Sequence, residues 1–329
     1  MTRWKYLIIA LIGLVVIISA LTAYELFSWR DTSEHAVKVE PGESAASIGA
    51  KLEEAGIIAN AKSFKLLTKV RRADRNLKSG TYIFGGHTNL WQTVSRLKEG
   101  VSATCRITFP EGLSMYQTLK LIEESGLADF NELYSAATDT ALVRRLTGMP
   151  LKSLEGFLYP ETYFFPVNCS GDSILSIMTR EFFHKMQLQG IDPHDIQDFY
   201  DRLKLASIVE KEAGNNSERA KIAGVFERRL RLGMPLQSCP TVNYILEQRG
   251  VRRAVLTTAD TEISSPYNTY QNPGLPPTPI SNPSIESILA ALNPQEHNYL
   301  YFFADGKGGN VFSTSFAEHQ RLQRQQKYR

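Results

Sequence analysis

Leu203-Lys204-Leu205-Ala206-Ser207-Ile208-Val209-Glu210-Lys211-Glu212-Ala213-Gly214 is the stretch around which the chain is organised. Its residues are good helix formers without internal Pro or Gly, and Gly214 supplies a stop, so the stretch predicts a helix. At about 100° per residue, Leu205, Ile208, Val209 and Glu212 fall on one face. Glu212 therefore interrupts an apolar stripe, while Glu210 points away, toward the side carrying Ser207. A carboxyl on a buried face loses hydration, which disfavours its charged form and raises its pKa. Kept protonated at neutral pH, such a group can hand a proton to a leaving group. The competing reading is a structural Glu at a helix end, relieved by a partner or by bending.

The chain has 329 residues, 43% hydrophobic and 22% charged, which is ordinary globular composition with room for two domains. A net charge of +3 without a long basic run argues against nucleic acid as a partner. Cys105, Cys169 and Cys239 are far apart, and neither they nor the scattered histidines show metal-ligand spacing. No glycine-rich loop opens a helix in a βαβ unit, so no phosphate-binding loop, metal or cofactor is expected.

Positions 6–24 carry no charge and are dense in Leu, Ile and Val, long enough to cross a hydrocarbon core. Trp4, Tyr6 and Tyr24 sit where interfacial aromatics belong, and Arg3 and Lys5 precede the run. The expectation is a transmembrane helix over 6–26, residues 1–5 in the cytoplasm, and the remainder outside the cytoplasmic membrane. The alternative is a cleaved signal peptide; the run is longer than a usual h-region and lacks a clean A-x-A site.

The fold class expected is α+β. Val37-Lys38-Val39 alternates like a strand, Pro41-Gly42-Glu43-Ser44 makes a turn and N-cap, and a helix follows through Ile48 and Leu52 to Gly56. The device recurs: a strand over 106–109, Pro110-Glu111-Gly112-Leu113-Ser114, then a helix through Leu119 and Ile122 to Gly126. A weaker third copy runs from Gly80-Thr81-Tyr82-Ile83-Phe84 through Thr88 as cap to Gly100. This pattern resembles LysM-like modules, which bind cell-wall glycan. The corresponding division is a stalk and LysM-like module over 27–104 and a mixed α+β catalytic domain over 105–329. The alternative for the module is a spacer without ligand.

Further along, 131–148 reads as one amphipathic helix. The segment 154–166, with aromatics interleaved with Glu and Thr between two prolines, suits an extended cleft wall on which sugars stack; alternatively its aromatics anchor a loop to the core. Helices are expected over 173–190 and 195–205. Beyond the central helix, Ile222, Val225, Phe226 and Leu230 read as a core face, with Arg228, Arg229 and Arg231 on a solvated one. Pro235 and Pro240 bracket a polar loop. The proline-rich path 273–279 holds Tyr267, Asn268 and Tyr270 in fixed positions. A helix over 285–292, a buried strand over 299–303, a tight turn over 305–309, a returning strand over 311–313 and a basic, Gln-rich helix from Phe316 complete the chain.

Several segments together resemble the endolytic murein transglycosylase family, MltG or YceG-like. They are Ala206-Ser207-Ile208-Val209-Glu210-Lys211-Glu212, Pro235-Leu236-Gln237-Ser238 with Pro240-Thr241, Tyr267-Asn268-Thr269-Tyr270, Gly274-Leu275-Pro276-Pro277, and Tyr299-Leu300-Tyr301-Phe302 with the glycine-rich turn. The resemblance implies cleavage within peptidoglycan glycan strands, termination of strand synthesis, and a peptidoglycan synthase as partner. It matches the family's essential glutamate with Glu212, which would protonate the bond between MurNAc and GlcNAc and then, as carboxylate, take the proton of the MurNAc 6-hydroxyl, leaving a 1,6-anhydro end. Glu161, Gln237, Ser238, Tyr267 and Asn268 are the candidates to line the cleft. Cys239 stands where many members carry Asp, and Asn310 where His is frequent, so neither position is expected to do indispensable acid–base work. Two rival readings are a two-carboxylate hydrolase pairing Glu212 with Glu161 or Glu210, and a non-catalytic wall-binding scaffold. Glu210→Gln is expected to be a milder control for Glu212→Gln.

Overall fold

The structure is a computed structural model that describes residues 30–100, 103–167, 169–251, 253 and 255–327, together with scattered positions before residue 29. The expected membrane-spanning helix over 6–26, and the stretch 1–5 before it, lie largely outside the described residues. Among the described residues no helix is long and apolar enough to cross a membrane. The chain divides into two compact units, residues 1–105 with 164–169, and residues 106–163 with 170–329.

In the first unit, β1 (Arg30–Val39) pairs antiparallel with β2 (Gly80–Thr88), and α1 (Ala45–Glu54), α2 (Ala61–Val70) and α3 (Leu90–Glu99) complete it. Val37 and Val39 on β1, and Tyr82 and Phe84 on β2, turn the same way and bury against Ile48, Leu52, Phe64, Val94 and Leu97. That period of two is what a sheet covered on one face requires. Ser44 caps α1 by accepting from the Ser47 amide. The helix α2 is an addition to the expected device: its outward positions are largely lysine, and only Phe64, Leu67 and Thr68 face inward. Asn89 rather than Thr88 caps α3, because Thr88 still belongs to β2 and Asn89 Oδ1 reaches the Gln92 amide at 2.9 Å.

The second unit carries α4 (Met115–Glu124), α5 (Phe130–Thr138), α6 (Thr140–Thr147), α7 (Gly171–Leu188), α8 (Phe199–Glu212), α9 (Arg219–Arg231), α10 (Cys239–Gln248), α11 (Thr258–Thr261), α12 (Ile285–Leu292) and α13 (Phe316–Lys327). Two further two-stranded sheets are described, one of β3 (Thr104–Thr108) with β4 (Thr162–Pro166), whose residues divide between the two ranges, and one of β5 (Tyr301–Ala304) with β6 (Asn310–Ser313) in the second unit. The mixed α+β expectation is thus met. The single helix expected over 131–148 is broken at Asp139, which ends α5 and caps α6 by accepting from the Ala141 amide.

The recurring strand–turn–helix device is real at the backbone level. Gly42 and Gly112 adopt φ of 78° and 75°, and Ser44 and Ser114 are both extended N-caps. A positive φ at the turn is cheap only for glycine. The second copy is also a point of attachment within its unit. Gly112 N–H donates to Asn282 O at 3.0 Å, and its carbonyl accepts from Lys211 Nζ at 3.0 Å.

The helix α8 is the axle of the second unit. Leu203, Leu205, Ala206, Ile208 and Val209 are all buried, against Phe157, Phe182, Phe199, Ile222, Phe226 and Ile288. Helices α9 and α12 pack on it. The segment 154–166 is not an aromatic wall. Phe157, Leu158, Tyr159, Tyr163 and Phe165 are buried, leaving only Phe164 exposed among its aromatics. Burying a large ring outweighs presenting it to a ligand. The strand β5 is half-buried rather than buried.

Candidate active site

Glu212 is the last residue of α8, one turn beyond the buried Ile208 and Val209. Its Oε1 accepts from Ser238 Oγ at 2.7 Å. Burial raises the Glu212 pKa above the usual carboxylate range; the Ser238 hydrogen bond and the positive charge of Arg229 pull it back without cancelling the rise. The residue as a whole is half-buried, so the carboxyl is withdrawn from bulk water without being sealed in.

Ser238 is held by the backbone on either side. The Gln237 amide donates to Thr269 O at 3.0 Å, and the Ser238 amide to Thr269 Oγ1 at 3.1 Å. Thr241 Oγ1 donates to Ser238 O at 2.7 Å and lies 2.9 Å from Thr269 Oγ1. The bracketed loop is thereby tied to the 267–270 turn, and Ser238 becomes the N-cap of α10. Gln237 has φ of 51°, a left-handed conformation costing a non-glycine residue about 1 kcal/mol or more, and its side chain is exposed beside Ser238.

Arg229 is not on a solvated face. It is buried, with Nε donating to Leu300 O at 2.7 Å and Nη1 to Leu236 O at 2.7 Å and Pro235 O at 3.3 Å. Its guanidinium lies 5.0 Å from the centre of the Tyr301 ring. The residue follows Phe226 by three on α9, on the inward side. The carbonyls of Leu300, Leu236 and Pro235 make burial of the fork tolerable. Burial lowers its pKa from an ordinary value so high that the charge persists.

The remaining candidates separate. Asn268 is fully buried and does not line a cleft: its Nδ2 donates to Thr261 O and Ile263 O at 3.0 and 2.8 Å, and its Oδ1 accepts from the Tyr270 amide at 3.0 Å. It builds the turn that presents Tyr270, whose hydroxyl stands 3.1 Å from Cys239 Sγ and feels the Glu212 charge. Tyr267 engages Thr278 Oγ1 at 3.0 Å, so its hydroxyl is committed, and its ring packs tilted against Tyr244 with centres 5.0 Å apart. Glu161 is exposed, bound to Lys185 Nζ at 3.0 Å and the Thr162 amide at 3.1 Å, which hold it ionised; its partners are not those of Glu212. Of the five expected lining residues, the structure brings Ser238 to Glu212, with Gln237 as its exposed chain neighbour.

Glu210 is buried in an ion pair with Arg219 Nη1 at 3.1 Å and accepts the Ser284 amide at 2.8 Å, at the start of α12. Ser207, on the same side, accepts from the Ile280 amide at 3.0 Å. On this face of α8 Glu210 is held by a buried cation and a helix start rather than facing Glu212's partners, so neutralising it would disturb packing as well as charge. Asn310 donates through its amide and Nδ2 to Glu218 at 3.1 and 2.9 Å, docking the β5–β6 turn on the chain after α8. Approach there is close: a Cβ on Gly214 would lie 2.9 Å from Gly308 O.

A second raised carboxyl carries no signal in the local sequence pattern. Glu155 is fully buried, accepts from the Met115 amide at 2.8 Å and Tyr244 Oη at 3.0 Å, and burial pushes its pKa up to about 8. Tyr244 also forms part of a cavity of about 290 Å³ lined by Lys211, Gln117, Asn243, Glu247 and Ile280 among others, and not by Glu212.

A single sheltered carboxyl at a helix end, with a hydroxyl donor on one oxygen and a buried cation near it, is an arrangement that can give and take a proton through one residue. The sequence matches the YceG-like family over residues 37–325, and the chain belongs to that family. The endolytic murein transglycosylase of Bacillus subtilis (strain 168) is 30% identical over 305 residues, 86% of this chain and 82% of the relative. That of Streptococcus pneumoniae serotype 2 (strain D39) is 28% identical over 319 residues, and this chain spans 56% of its length. A crystal structure of a yceG-like protein from Listeria monocytogenes superposes with a TM-score of 0.60 at 33% identity, covering 89% of this chain and 100% of that one.

Proposed function

We propose that the protein is a lytic transglycosylase that cleaves the MurNAc–GlcNAc bond within peptidoglycan strands. The observation that carries this reading is Glu212: a carboxyl whose pKa is raised by burial and whose Oε1 is held by Ser238. Protonated Glu212 gives its proton to the glycosidic oxygen as the C1–O4 bond breaks. The resulting carboxylate, steadied by the Ser238 hydroxyl and the Arg229 charge, takes the proton of the MurNAc 6-hydroxyl as O6 bonds to C1. The proton count closes on Glu212 alone, and the product is a 1,6-anhydro end. The two-carboxylate rival loses support because Glu161 and Glu210 are each engaged by a cation.

The wider setting belongs to the same proposal. The apolar run 6–24 would anchor the chain in the cytoplasmic membrane with the N-terminus inside, placing Glu212 on the wall side. The first unit would serve as a LysM-like glycan-binding module, and cleavage close to the membrane would end strand elongation, alongside a peptidoglycan synthase. Product mass analysis on purified sacculi tests the chemistry. Wild type is expected to release anhydro-muropeptides and Glu212→Gln none, with the fold retained. Reducing ends from the wild type, heavier by one water, would replace this reading with hydrolysis.

A further inference from the structure

We propose that the 290 Å³ cavity beside the end of α8 receives the peptide stem carried by the muramic acid residue at the scissile bond. This inference rests on the proposed glycan chemistry and adds a substrate feature to it. The cavity and the candidate acid draw on the same two segments of the chain: Lys211, in its lining, immediately precedes Glu212, and Pro240, also in its lining, lies two residues beyond Ser238. Its volume sits at the lower limit of about 300 Å³ for small-molecule pockets, which suits a short branch rather than successive sugar rings.

Its charges are arranged for a ligand bearing both signs. Lys211 Nζ donates to Gly112 O at 3.0 Å, and among the described residues it has no carboxylate partner, so two of its three donors remain for a ligand. Its stem is fixed against Gly112, where an added Cβ would lie 3.3 Å from Lys211 Cδ. Across the cavity Glu247 Oε2 accepts from Ser114 Oγ at 2.6 Å, and no cation pairs with Glu247 among the described residues. Gln117 and Asn243 add amides suited to peptide groups, and Tyr244 is locked beneath them by its bond to Glu155. Arg253 at the rim is already engaged by Asp260 at 3.2 Å. An ammonium and a carboxylate facing one small space match a peptide with free carboxylates and one free amine. A stem peptide has that composition; an unsubstituted glycan of GlcNAc and MurNAc offers no amine.

The test compares uncrosslinked glycan strands bearing tripeptide stems that end in a diamino acid with the same strands stripped by an amidase, using the full chain in detergent. Wild type is expected to favour the peptide-bearing strands in kcat/KM by about tenfold or more, chiefly through KM, the scale of one charge-assisted hydrogen bond. In Lys211→Met and in the isosteric Glu247→Gln the ratio is expected to fall toward one. Equal rates on both strands with wild type, or an unchanged ratio in both variants, overturns the inference. Binding of the free tripeptide by calorimetry provides a readout independent of cleavage. Tripeptide binding by wild type that weakens in either variant supports the site, and no binding overturns it. The anhydro or reducing nature of the product reports separately on the reaction assigned to Glu212.

Discussion

Ser238 Oγ stands 2.7 Å from Glu212 Oε1, joining the end of α8 to the start of α10 across 26 positions of the chain. The contact ties a proton-bearing group to a loop that is itself sewn to Thr269, so acid strength and cleft geometry are set by the same few hydrogen bonds.

The first consequence is a pH signature for Ser238→Ala. Ser238 lowers the Glu212 pKa against the larger upward push of burial. The reaction begins from protonated Glu212, so activity falls as pH rises through that pKa. Without the hydroxyl the pKa rises further, and this alkaline limb shifts to higher pH. The rate at the optimum should drop by about tenfold to a hundredfold, because the carboxylate formed in the first step loses its donor. A pH–rate profile of both proteins checks this; an alkaline limb that stays put or moves to lower pH would contradict it.

Arg229→Met should disturb both stability and the acid. Its fork satisfies the carbonyls of Leu300, Leu236 and Pro235, and its charge lowers the Glu212 pKa. Leaving those carbonyls short of donors costs about 1–3 kcal/mol each when buried. The expected result is a lower Tm together with a Glu212 titration moved upward, followed by difference infrared spectroscopy of the carboxyl band. Arg229→Lys should recover the charge effect and only part of the stability, since one ammonium cannot reproduce the planar fork.

Glu210→Gln is expected to behave unlike Glu212→Gln. Glu210 and Arg219 are both buried, and breaking such a pair by neutralising one partner costs about 3 kcal/mol. Thermal unfolding should therefore show a Tm several degrees lower for Glu210→Gln. Glu212→Gln, which exchanges a poorly solvated acid for an isosteric amide, should leave Tm unchanged or raise it.

Glu155 supplies a stability test with a defined window. Its folded pKa of about 8 lies above the ordinary value of 4.5, so the folded protein holds this proton more tightly than the unfolded chain. The stabilisation is complete below about 4.5, declines as pH rises, and is lost once pH passes about 8. Tm should accordingly fall between pH 5 and pH 8. Glu155→Gln should flatten that slope by up to one proton, about 1.4 kcal/mol per pH unit. An identical Tm–pH curve in the variant would mean that Glu155 is already ionised in the folded state.

The sequence alone determined what depends on local periodicity and local capping. Leu205, Ile208 and Val209 mark the buried face of α8 and place Glu212 in line with it, because a helix turns by a constant angle per residue. Ser44, Ser114 and Ser284 declare helix starts through short-range hydrogen bonds. What lies on the far side of a contact was decided only by the tertiary structure. Arg229 reads as a surface arginine until the carbonyls of Leu236 and Leu300 arrive to receive its fork. Asn268 reads as a ligand contact until the turn around it consumes its amide, and Glu161 reads as a cleft carboxylate until Lys185 neutralises it. Polar side chains have several satisfactory partners, and which one they meet depends on how the chain folds back, over a few positions for Asn268 and over 71 for Arg229 with Leu300, whereas an apolar stripe needs only to be hidden.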